Sequence, residues 1–369
     1  MTYISDKGRR LRKVETELST ASTEDKNRAL KKVIESLENH RKDILESNAL
    51  DIELAEKNNM KAGLIDRLKL DNIRLDGIIE SIDTVIKLQD PIWKSDKVWT
   101  IENGLTISRM TVPLGVIGII YESRPNVTVD AFSLALKSGN CIMLRGSSSA
   151  IHSNKALVNA IKEGLRASNI SEDVVQFIEE KDRQYVNDML KANEYLDLII
   201  PRGGKELIDF VVENSSVPTL QTGVGNCHIF VDESADIKKA LNIVNNAKTQ
   251  RIGVCNACET LLVHEAIADE FLPMLYNKFK DTVEIRGCTK TRELIEAKEA
   301  KESDWKEEFL DYIIAVKVVK DINEAIDHIG VYGSKHSEAI VTENFTNSKI
   351  FLRKVDASTV YVNASTRFT

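Results

Sequence analysis

From residue 115 to its end, the chain alternates short apolar runs with longer segments of helical periodicity. No other feature of the sequence restricts the fold as much. The runs at residues 115–121 and 141–145 are apolar almost throughout, as is typical of parallel strands that helices cover on both faces. A helical pattern over residues 154–167 follows them. Alternation of this kind predicts a doubly wound α/β architecture.

The alternation occurs in two sets that a turn-rich break separates. The first set predicts strands at residues 105–110, 115–121, 141–145, 174–178 and 196–200, and helices at residues 128–137, 154–167, 184–192 and 206–212. The second predicts strands at residues 226–231, 258–263, 312–319 and 338–341, and helices at residues 237–246, 266–279, 322–329 and 345–354. The charge-rich segment 293–307 is predicted to be a solvated helix face or loop.

A helical layer precedes the first set. Leu30, Val33 and Leu37 recur at the spacing of one helix face. Ser22 followed by Asp25 resembles a capping box that starts the helical region of residues 22–90.

The break between the two sets gives the predicted domain boundary. The turn at residues 222–225 interrupts the regular pattern, so we place one lobe at residues 1–225, with the helical layer at 1–90, and the second at 226–350. Residues 351–369 form a final segment that returns from the second lobe. A length of 369 residues suits two such domains, and two lobes that meet at a cleft suit two ligands.

The amino-acid composition argues against nucleic acids and membranes as partners of this chain. Lys and Arg number 50 against 57 Asp and Glu, a net charge of −7, and without a long basic run the chain is not expected to bind nucleic acid. The first twenty residues carry no apolar signal core, and the apolar runs are too short to cross a bilayer, so we expect no membrane contact and a cytoplasmic protein. An odd number of cysteines in such a chain argues against a disulfide framework. The five are Cys141, Cys227, Cys255, Cys258 and Cys288.

Cys255 is the first candidate for chemistry, because it lies on a loop between a predicted helix and a predicted strand. Free backbone N–H groups or a nearby cation would lower the pKa of its thiol enough to populate the nucleophilic thiolate. Three other interpretations remain open. Cys255 is a small buried apolar residue, or it forms with Cys258 a thioredoxin-like dithiol, or the pair is half of a zinc site.

Two glycine-containing turns follow predicted strands and suit a phosphate. Arg145, Gly146 and Ser147 end one strand, and Arg202, Gly203 and Gly204 end another, just before a helix. Arginine pairs with phosphate, glycine lets a phosphate approach the backbone, and helix N-termini attract anions. Two such turns in one sheet suggest a nucleotide, although the Gly-x-Gly-x-x-Gly fingerprint is absent.

Asn126 follows the apolar strand at residues 115–121, and its amide is suited to donate to an oxyanion. The histidines are predicted to be structural or to lie at the surface, because they show no convergent partners in the sequence. Those considered are His40, His152, His264, His328 and His336.

Three stretches of the sequence resemble one family. They are residues 112–126 (VPLGVIGIIYESRPN), residues 250–262 around Cys255, and residues 361–368 (YVNASTRF). In this order they are similar to the gamma-glutamyl phosphate reductases (glutamate-5-semialdehyde dehydrogenases) of the aldehyde dehydrogenase superfamily. The resemblance implies an aldehyde-dehydrogenase-like fold of two Rossmann-like doubly wound lobes with a helical N-terminal layer. It also implies that residues 1–225 bind NADP and that residues 226–350 carry the catalytic cysteine.

The resemblance assigns roles to single residues. Cys255 becomes the acyl-accepting nucleophile and Cys258 is incidental, while Asn126 shares the oxyanion hole with the backbone N–H of the cysteine. Arg145 occupies a position where many relatives have a lysine on the adenosine ribose, and because arginine suits a 2′-phosphate better, NADPH is favoured. Gly203 and Gly204 match the pyrophosphate turn.

Two further assignments complete the set. Glu308 matches a glutamate that holds the nicotinamide ribose, and Arg124 is a candidate for a substrate carboxylate or phosphate. No metal is expected.

The resemblance also implies a reaction, the NADPH-dependent reduction of L-glutamyl 5-phosphate to L-glutamate 5-semialdehyde and phosphate, the second step of proline biosynthesis. Hydrolytic aldehyde dehydrogenases have a general-base glutamate where this chain has Gln221, ahead of Gly223 and Gly225. The missing carboxylate agrees with a reductase, in which activated water would waste the acyl group.

Family members continue for some tens of residues beyond the final motif, whereas this sequence stops at Thr369. We therefore expect one wall of the cleft and a partner edge to be absent. Two alternatives stay open, an impaired family member that retains nucleotide binding and a relative that reduces an acyl-coenzyme A. Expected partners are glutamate 5-kinase and, with a complete C-terminus, further copies of the chain.

Overall fold

The computed structural model describes residues 2–60, 62–220 and 225–368. Its contacts divide the chain into two compact units, Met1–Thr222 and Gly223–Thr369. The turn used to place the predicted boundary falls largely on residues 221–224, which lie outside the described residues. The NADP-binding and catalytic assignments of the two lobes stay predictions.

The first unit begins with the predicted helical layer. Its helices are α1 (Tyr3–Ser19), α2 (Thr23–Asn39), α3 (Arg41–Lys57), α4 (Ala62–Leu68) and α5 (Asn72–Lys87). Ser22 starts α2 as predicted, because its side chain accepts the N–H of Asp25 at 3.0 Å. Leu30, Val33 and Leu37 are fully buried on the inner face. The helix α1 precedes the helical pattern identified from residue 22 and lies within the layer predicted at residues 1–90.

An exposed hairpin follows the helices. It consists of β1 (Ser95–Thr100) and β2 (Thr106–Met110), which pair antiparallel. The strand predicted at residues 105–110 is confirmed as β2, but β1 was missed. All six residues of β1 are exposed, so burial imposes no alternation on its sequence.

A four-stranded parallel sheet with helices forms the rest of the first unit. Its elements are β3 (Val116–Tyr121), α6 (Asn126–Lys137), β4 (Cys141–Arg145), α7 (Ile151–Arg166), β5 (Val175–Phe177), α8 (Gln184–Leu190), β6 (Leu198–Arg202) and α9 (Lys205–Asn214). The strand order is β5-β4-β3-β6. This topology confirms the predicted doubly wound alternation, and the carboxyl ends of β3, β4 and β6 share one edge.

The second unit contains a seven-stranded parallel sheet. Its elements are β7 (Cys227–Val231), α10 (Ile237–Thr249), β8 (Cys258–His264), α11 (Glu265–Phe279), β9 (Glu284–Gly287), α12 (Thr289–Leu294), β10 (Lys298–Glu299), β11 (Ile313–Val319), α13 (Ile322–Tyr332), β12 (Ser337–Val341), α14 (Phe345–Lys354) and β13 (Thr359–Val362). The strand order is β10-β9-β11-β8-β7-β12-β13. One buried cluster covers each face of the sheet, and adjacent residues of β7, such as Ile229 and Phe230, belong to opposite clusters.

The segment 293–307 differs from its prediction. It contains the end of α12, the short strand β10 and a 3₁₀ helix at Glu302–Lys306, and both Asp304 and Trp305 are buried. Asp304 is held by an ion pair with Arg286 at 2.7 Å. The charge-rich composition of this segment gave no indication that Asp304 and Trp305 are buried.

Among the described residues, no helix has both the length and the apolar character needed to span a membrane.

Candidate active site

Cys255 lies in the loop between α10 and β8, and its side chain is exposed. The interpretation as a small buried residue is therefore wrong for Cys255. Cys258, by contrast, is the first residue of β8 and is fully buried, which raises the pKa of its thiol strongly. Because a buried thiol with a strongly raised pKa is inert, this burial argues against the thioredoxin-like interpretation.

A buried ion pair fixes both ends of the Cys255 loop. Lys248, in the last turn of α10, contacts Glu259 of β8 at 2.5 Å, and both side chains are fully buried. Burial raises the pKa of Glu259 to about 7, while Lys248 acts in the opposite direction. Glu259 also accepts the backbone N–H of Leu310 at 3.2 Å, which connects the loop to the segment before β11.

Gly225 packs directly against the backbone of the Cys255 loop. A β-carbon added to Gly225 would overlap the carbonyl oxygen of Cys255, so only glycine allows this approach. The thiol of Cys227 donates to the same carbonyl at 3.2 Å. Together these contacts set the position of the loop that carries the thiol.

Glu308 lies in the same unit, in the segment before β11. Its Oε1 accepts the backbone N–H of Gly225 at 2.9 Å. Its charge acts on Cys255, raising the pKa of the thiol. The resemblance placed Glu308 in the active site, and the structure brings it close to Cys255, the predicted nucleophile.

His336 was predicted to be structural or superficial because the sequence shows no convergent partner for it, but the structure gives it one. It immediately precedes β12, and its half-buried imidazole lies within hydrogen-bonding reach of the Cys255 thiol. That contact is the largest influence on the thiol and lowers the pKa of Cys255, against the effects of burial and Glu308. The same contact raises the pKa of His336. No local pattern could have revealed it, because the two residues are far apart in the sequence.

The glycine-containing turns of the first unit meet at the carboxyl edge of its sheet. Arg145 ends β4, where its partner in β3 is Ile120, and Arg202 ends β6, where its partner is Tyr121. Because open α/β sheets bind ligands at this edge, the predicted turns lie where a nucleotide would be expected.

Arg145 is buried. One of its terminal nitrogens donates to the carbonyl of Gly146 and the other to that of Lys181 at 3.3 Å. Its Nε is buried without a hydrogen-bond partner among the described residues. Burial lowers the pKa of the guanidinium. A buried arginine with an unsatisfied donor suits an anionic ligand.

The neighbouring residues form a tight turn. A β-carbon on Gly146 would overlap the amide of Asn154, and the hydroxyl of Ser147 lies 2.8 Å from that of Ser149. Ser149 in turn lies 2.8 Å from the hydroxyl of Ser123, which follows β3. The serines thus connect the ends of β3 and β4.

A carboxylate from another segment is bound at the turn formed by Arg202, Gly203 and Gly204. Glu122, directly after β3, accepts the N–H of Gly204 at 3.0 Å, at the N-terminus of α9. A β-carbon on Gly203 would collide with Glu122 and Leu207. The backbone N–H of Gly204, in the turn predicted to face a pyrophosphate, therefore already binds an anionic side chain. Glu122 was not identified from the sequence as part of this site.

Arg124 and Asn126 lie on the turn from β3 into α6. Asn126 is the first residue of α6, and one N–H of its side chain donates to Asp130 at 3.0 Å. Arg124 and Asn126 are both half-buried. Across the described ranges, no group of three or more His, Cys, Asp or Glu side chains is arranged to hold a metal ion.

The sequence profile of the aldehyde dehydrogenase family matches residues 10–291. The gamma-glutamyl phosphate reductase of Alkaliphilus oremlandii (strain OhILAs) is 62% identical over 369 residues, which cover 100% of this chain and 89% of the relative. The crystal structure of the gamma-glutamyl phosphate reductase of Thermotoga maritima has a TM-score of 0.98 and 54% identity, covering 100% of this chain and 89% of that one. The corresponding structure from Saccharomyces cerevisiae has a TM-score of 0.57 and 30% identity, covering 100% and 94%.

The fold, with its exposed cysteine loop, is that of an aldehyde dehydrogenase. The chain belongs to this family and, within it, to the gamma-glutamyl phosphate reductases. It is therefore an oxidoreductase, and membership implies a nicotinamide cofactor.

Proposed function

We propose that this protein reduces L-glutamyl 5-phosphate to L-glutamate 5-semialdehyde and phosphate with NADPH, in the proline-biosynthetic sequence. The observation that carries the proposal is the exposed Cys255 thiol with a lowered pKa. It occurs in a chain that is 62% identical to a relative named gamma-glutamyl phosphate reductase.

The chain's own residues supply an acyl-transfer route. The Cys255 thiolate attacks the carbonyl of the acyl phosphate, forming an S–C bond, and phosphate leaves with the electrons of the C–O bond. The Asn126 amide and the backbone N–H of Cys255 are the donors proposed for the oxyanion. When bound, NADPH supplies the hydride that reduces the thioester. Cys255 is then the leaving group as the aldehyde is released, so a low thiol pKa serves both ends of the reaction.

The residues present fit NADPH. The unsatisfied, buried Nε of Arg145 supports a role in binding the 2′-phosphate. Gly146 and Ser147 would line the same turn. The N–H of Gly204, with Gly203 and Arg202, would face the pyrophosphate once Glu122 gives up its hydrogen bond. Glu308 is proposed to hold the nicotinamide ribose, since it lies in the same unit as Cys255.

Arg124 is proposed to bind a carboxylate or phosphate of the substrate, because a guanidinium pairs with either group in bidentate fashion. We further propose that the protein acts in the cytoplasm and, with a complete C-terminus, as a homo-oligomer. There it would receive its unstable acyl phosphate from glutamate 5-kinase.

The test supplies the acyl phosphate in situ. Purified protein is mixed with glutamate 5-kinase, ATP, glutamate and NADPH, and the absorbance of NADPH is followed. We expect oxidation that depends on the kinase and disappears in Cys255→Ser. Oxidation without the kinase, or only with a glutamyl coenzyme A thioester, would overturn the proposed substrate, and no oxidation in any arm would overturn the proposed activity.

A further inference from the structure

His336 and Cys255 meet because of the strand order of the second sheet. His336 immediately precedes β12, and Cys255 lies three residues before β8. Both strands run parallel to β7 and lie on either side of it, so they are about 10 Å apart. The loops that precede them emerge at the same edge, and the two side chains come within hydrogen-bonding reach there.

The imidazole is held in position by its neighbour in the chain. The Nδ1 of His336 lies 2.8 Å from the hydroxyl of Ser337, which is fully buried at the start of β12. A hydroxyl both donates and accepts, so Ser337 supports the ring in its neutral and in its protonated form. The geometry therefore suits a residue that changes its protonation state.

We propose that His336 is a catalytic residue that takes the proton of Cys255 and holds the nucleophile as a thiolate beside an imidazolium. This inference rests on the proposed function for the acyl-accepting role of Cys255. In the step, the S–H bond breaks and an N–H bond forms on the imidazole. The thiolate then forms the S–C bond while the C–O bond to phosphate breaks. When the aldehyde leaves, the C–S bond breaks and the imidazolium stabilises the thiolate again.

The charged groups that face this pair come from several elements. Glu308, before β11, and Glu338, on β12, both favour the imidazolium form of His336. The buried thiol of Cys227, on β7, also lies against this edge, and burial raises its pKa so far that it stays neutral. Glu308 disfavours the Cys255 thiolate, so the two glutamates alone would not activate the thiol. The imidazolium is the group that stabilises it.

The directions of the two pKa shifts agree with transfer of the proton from Cys255 to His336. The pKa of Cys255 is lowered, chiefly by His336, and the pKa of His336 is raised, chiefly by Cys255. Below the lowered pKa of Cys255 the thiol is protonated. Above the raised pKa of His336 the imidazole is neutral and the thiolate loses its partner charge. Both shifts are in the direction that favours the ion pair over the neutral pair.

The experiment measures the pH dependence of Cys255 alkylation by iodoacetamide in the full chain, with the modified peptide quantified by mass spectrometry. No substrate or cofactor is present. For the wild type we expect a midpoint below about 8.5, the ordinary pKa of a thiol. In His336→Gln the midpoint should rise, so that the rate at pH 7 falls at least about tenfold while the rates at pH 10 agree within about twofold. An unfolded chain would expose an ordinary thiol and give the same shift, so circular dichroism must show that His336→Gln keeps the wild-type fold.

His264→Gln is the matched control, because His264 lies in the same unit and caps α11 through the N–H of Ala266. It should keep the wild-type profile. A wild-type midpoint at or above that of an ordinary thiol overturns the proposal, even when His336→Gln does not fold. So does an unshifted profile in His336→Gln. Because the assay needs no turnover, a failed reductase assay with a shifted profile overturns the proposed function and leaves the pair intact.

Discussion

Gly225 approaches Cys255 so closely that a β-carbon at Gly225 would overlap the carbonyl oxygen of Cys255. The position of Cys255, the proposed nucleophile, thus depends on the close packing of Gly225 against its backbone. A displaced loop would lose the alignment of sulfur, imidazole and acyl carbon, and misplacement by about 1 Å costs about a hundredfold in rate.

We therefore expect Gly225→Ala to lower kcat/KM at least about a hundredfold, with the rest of the fold retained. Gly253→Ala is the control, because Gly253 lies in the same loop as Cys255 and a β-carbon there meets no atom within 4 Å. Steady-state assays and circular dichroism of both variants check the prediction. Equal activity in the two variants would contradict it.

Cys258→Ala should keep the chemistry that Cys255→Ser abolishes. The Cys258 sulfur is buried on β8, and its thiol donates to the carbonyl of Thr260 at 3.4 Å, so it reaches no substrate. Removing it leaves a small cavity, for which we expect a loss of about 1 kcal/mol in the free energy of unfolding. Turnover and thermal unfolding are measured on both variants. Comparable loss of turnover in both would restore the dithiol interpretation.

The chemistry of single loops could be predicted from the sequence, but the way the loops meet could not. Buried strands such as Val116–Tyr121 are found because both faces are apolar, and the turns at Arg145 and Arg202 follow from the rule that ligands bind at carboxyl ends of strands. Cys255 and His336 break that rule, since both precede their strands. Their meeting depends on the order β8-β7-β12, which no local pattern encodes.

Arg145→Lys should change the choice of cofactor. Lysine keeps a positive charge but lacks the planar guanidinium that pairs with a 2′-phosphate. The substitution also leaves the carbonyls of Gly146 and Lys181 without the hydrogen bonds that Arg145 donates. We expect the Kd for NADPH to rise about ten- to a hundredfold, the value of a charge-assisted hydrogen bond or two, with the Kd for NADH changing less. Fluorescence titration with each cofactor measures both constants. An equal rise for both would place Arg145 away from the 2′-phosphate.

The buried pair of Lys248 and Glu259 should behave as a unit. Lys248→Leu or Glu259→Leu alone leaves an uncompensated buried charge, which costs about 3–5 kcal/mol. In the double variant no charge is left behind, so we expect its loss to be well below the sum of the single losses. A double-mutant cycle by urea unfolding measures the coupling. Additive losses would show that the contact between the two side chains contributes nothing to stability.

His328 should make the protein sensitive to acid. Burial, with His228 and Lys317 nearby, lowers the pKa of His328 to about 3, against about 6.5 in the unfolded chain. Between those values the unfolded state binds a proton that the native state does not, so the free energy of unfolding falls as the pH falls, by at most about 1.4 kcal/mol per pH unit for this group. Above about pH 6.5 the contribution is constant.

His328→Phe removes this titration and keeps a ring of similar size against Tyr332, whose ring centroid lies 4.5 Å away. We expect its free energy of unfolding to fall less steeply than that of the wild type between about pH 6 and about pH 4, as measured by urea unfolding at each pH. The variant also loses the contact between the Lys317 ammonium and Nδ1, 3.3 Å apart. The stability of the variant at neutral pH therefore does not test the prediction. The test is the slope of its free energy of unfolding against pH. An unchanged slope would mean that His328 takes up its proton without unfolding.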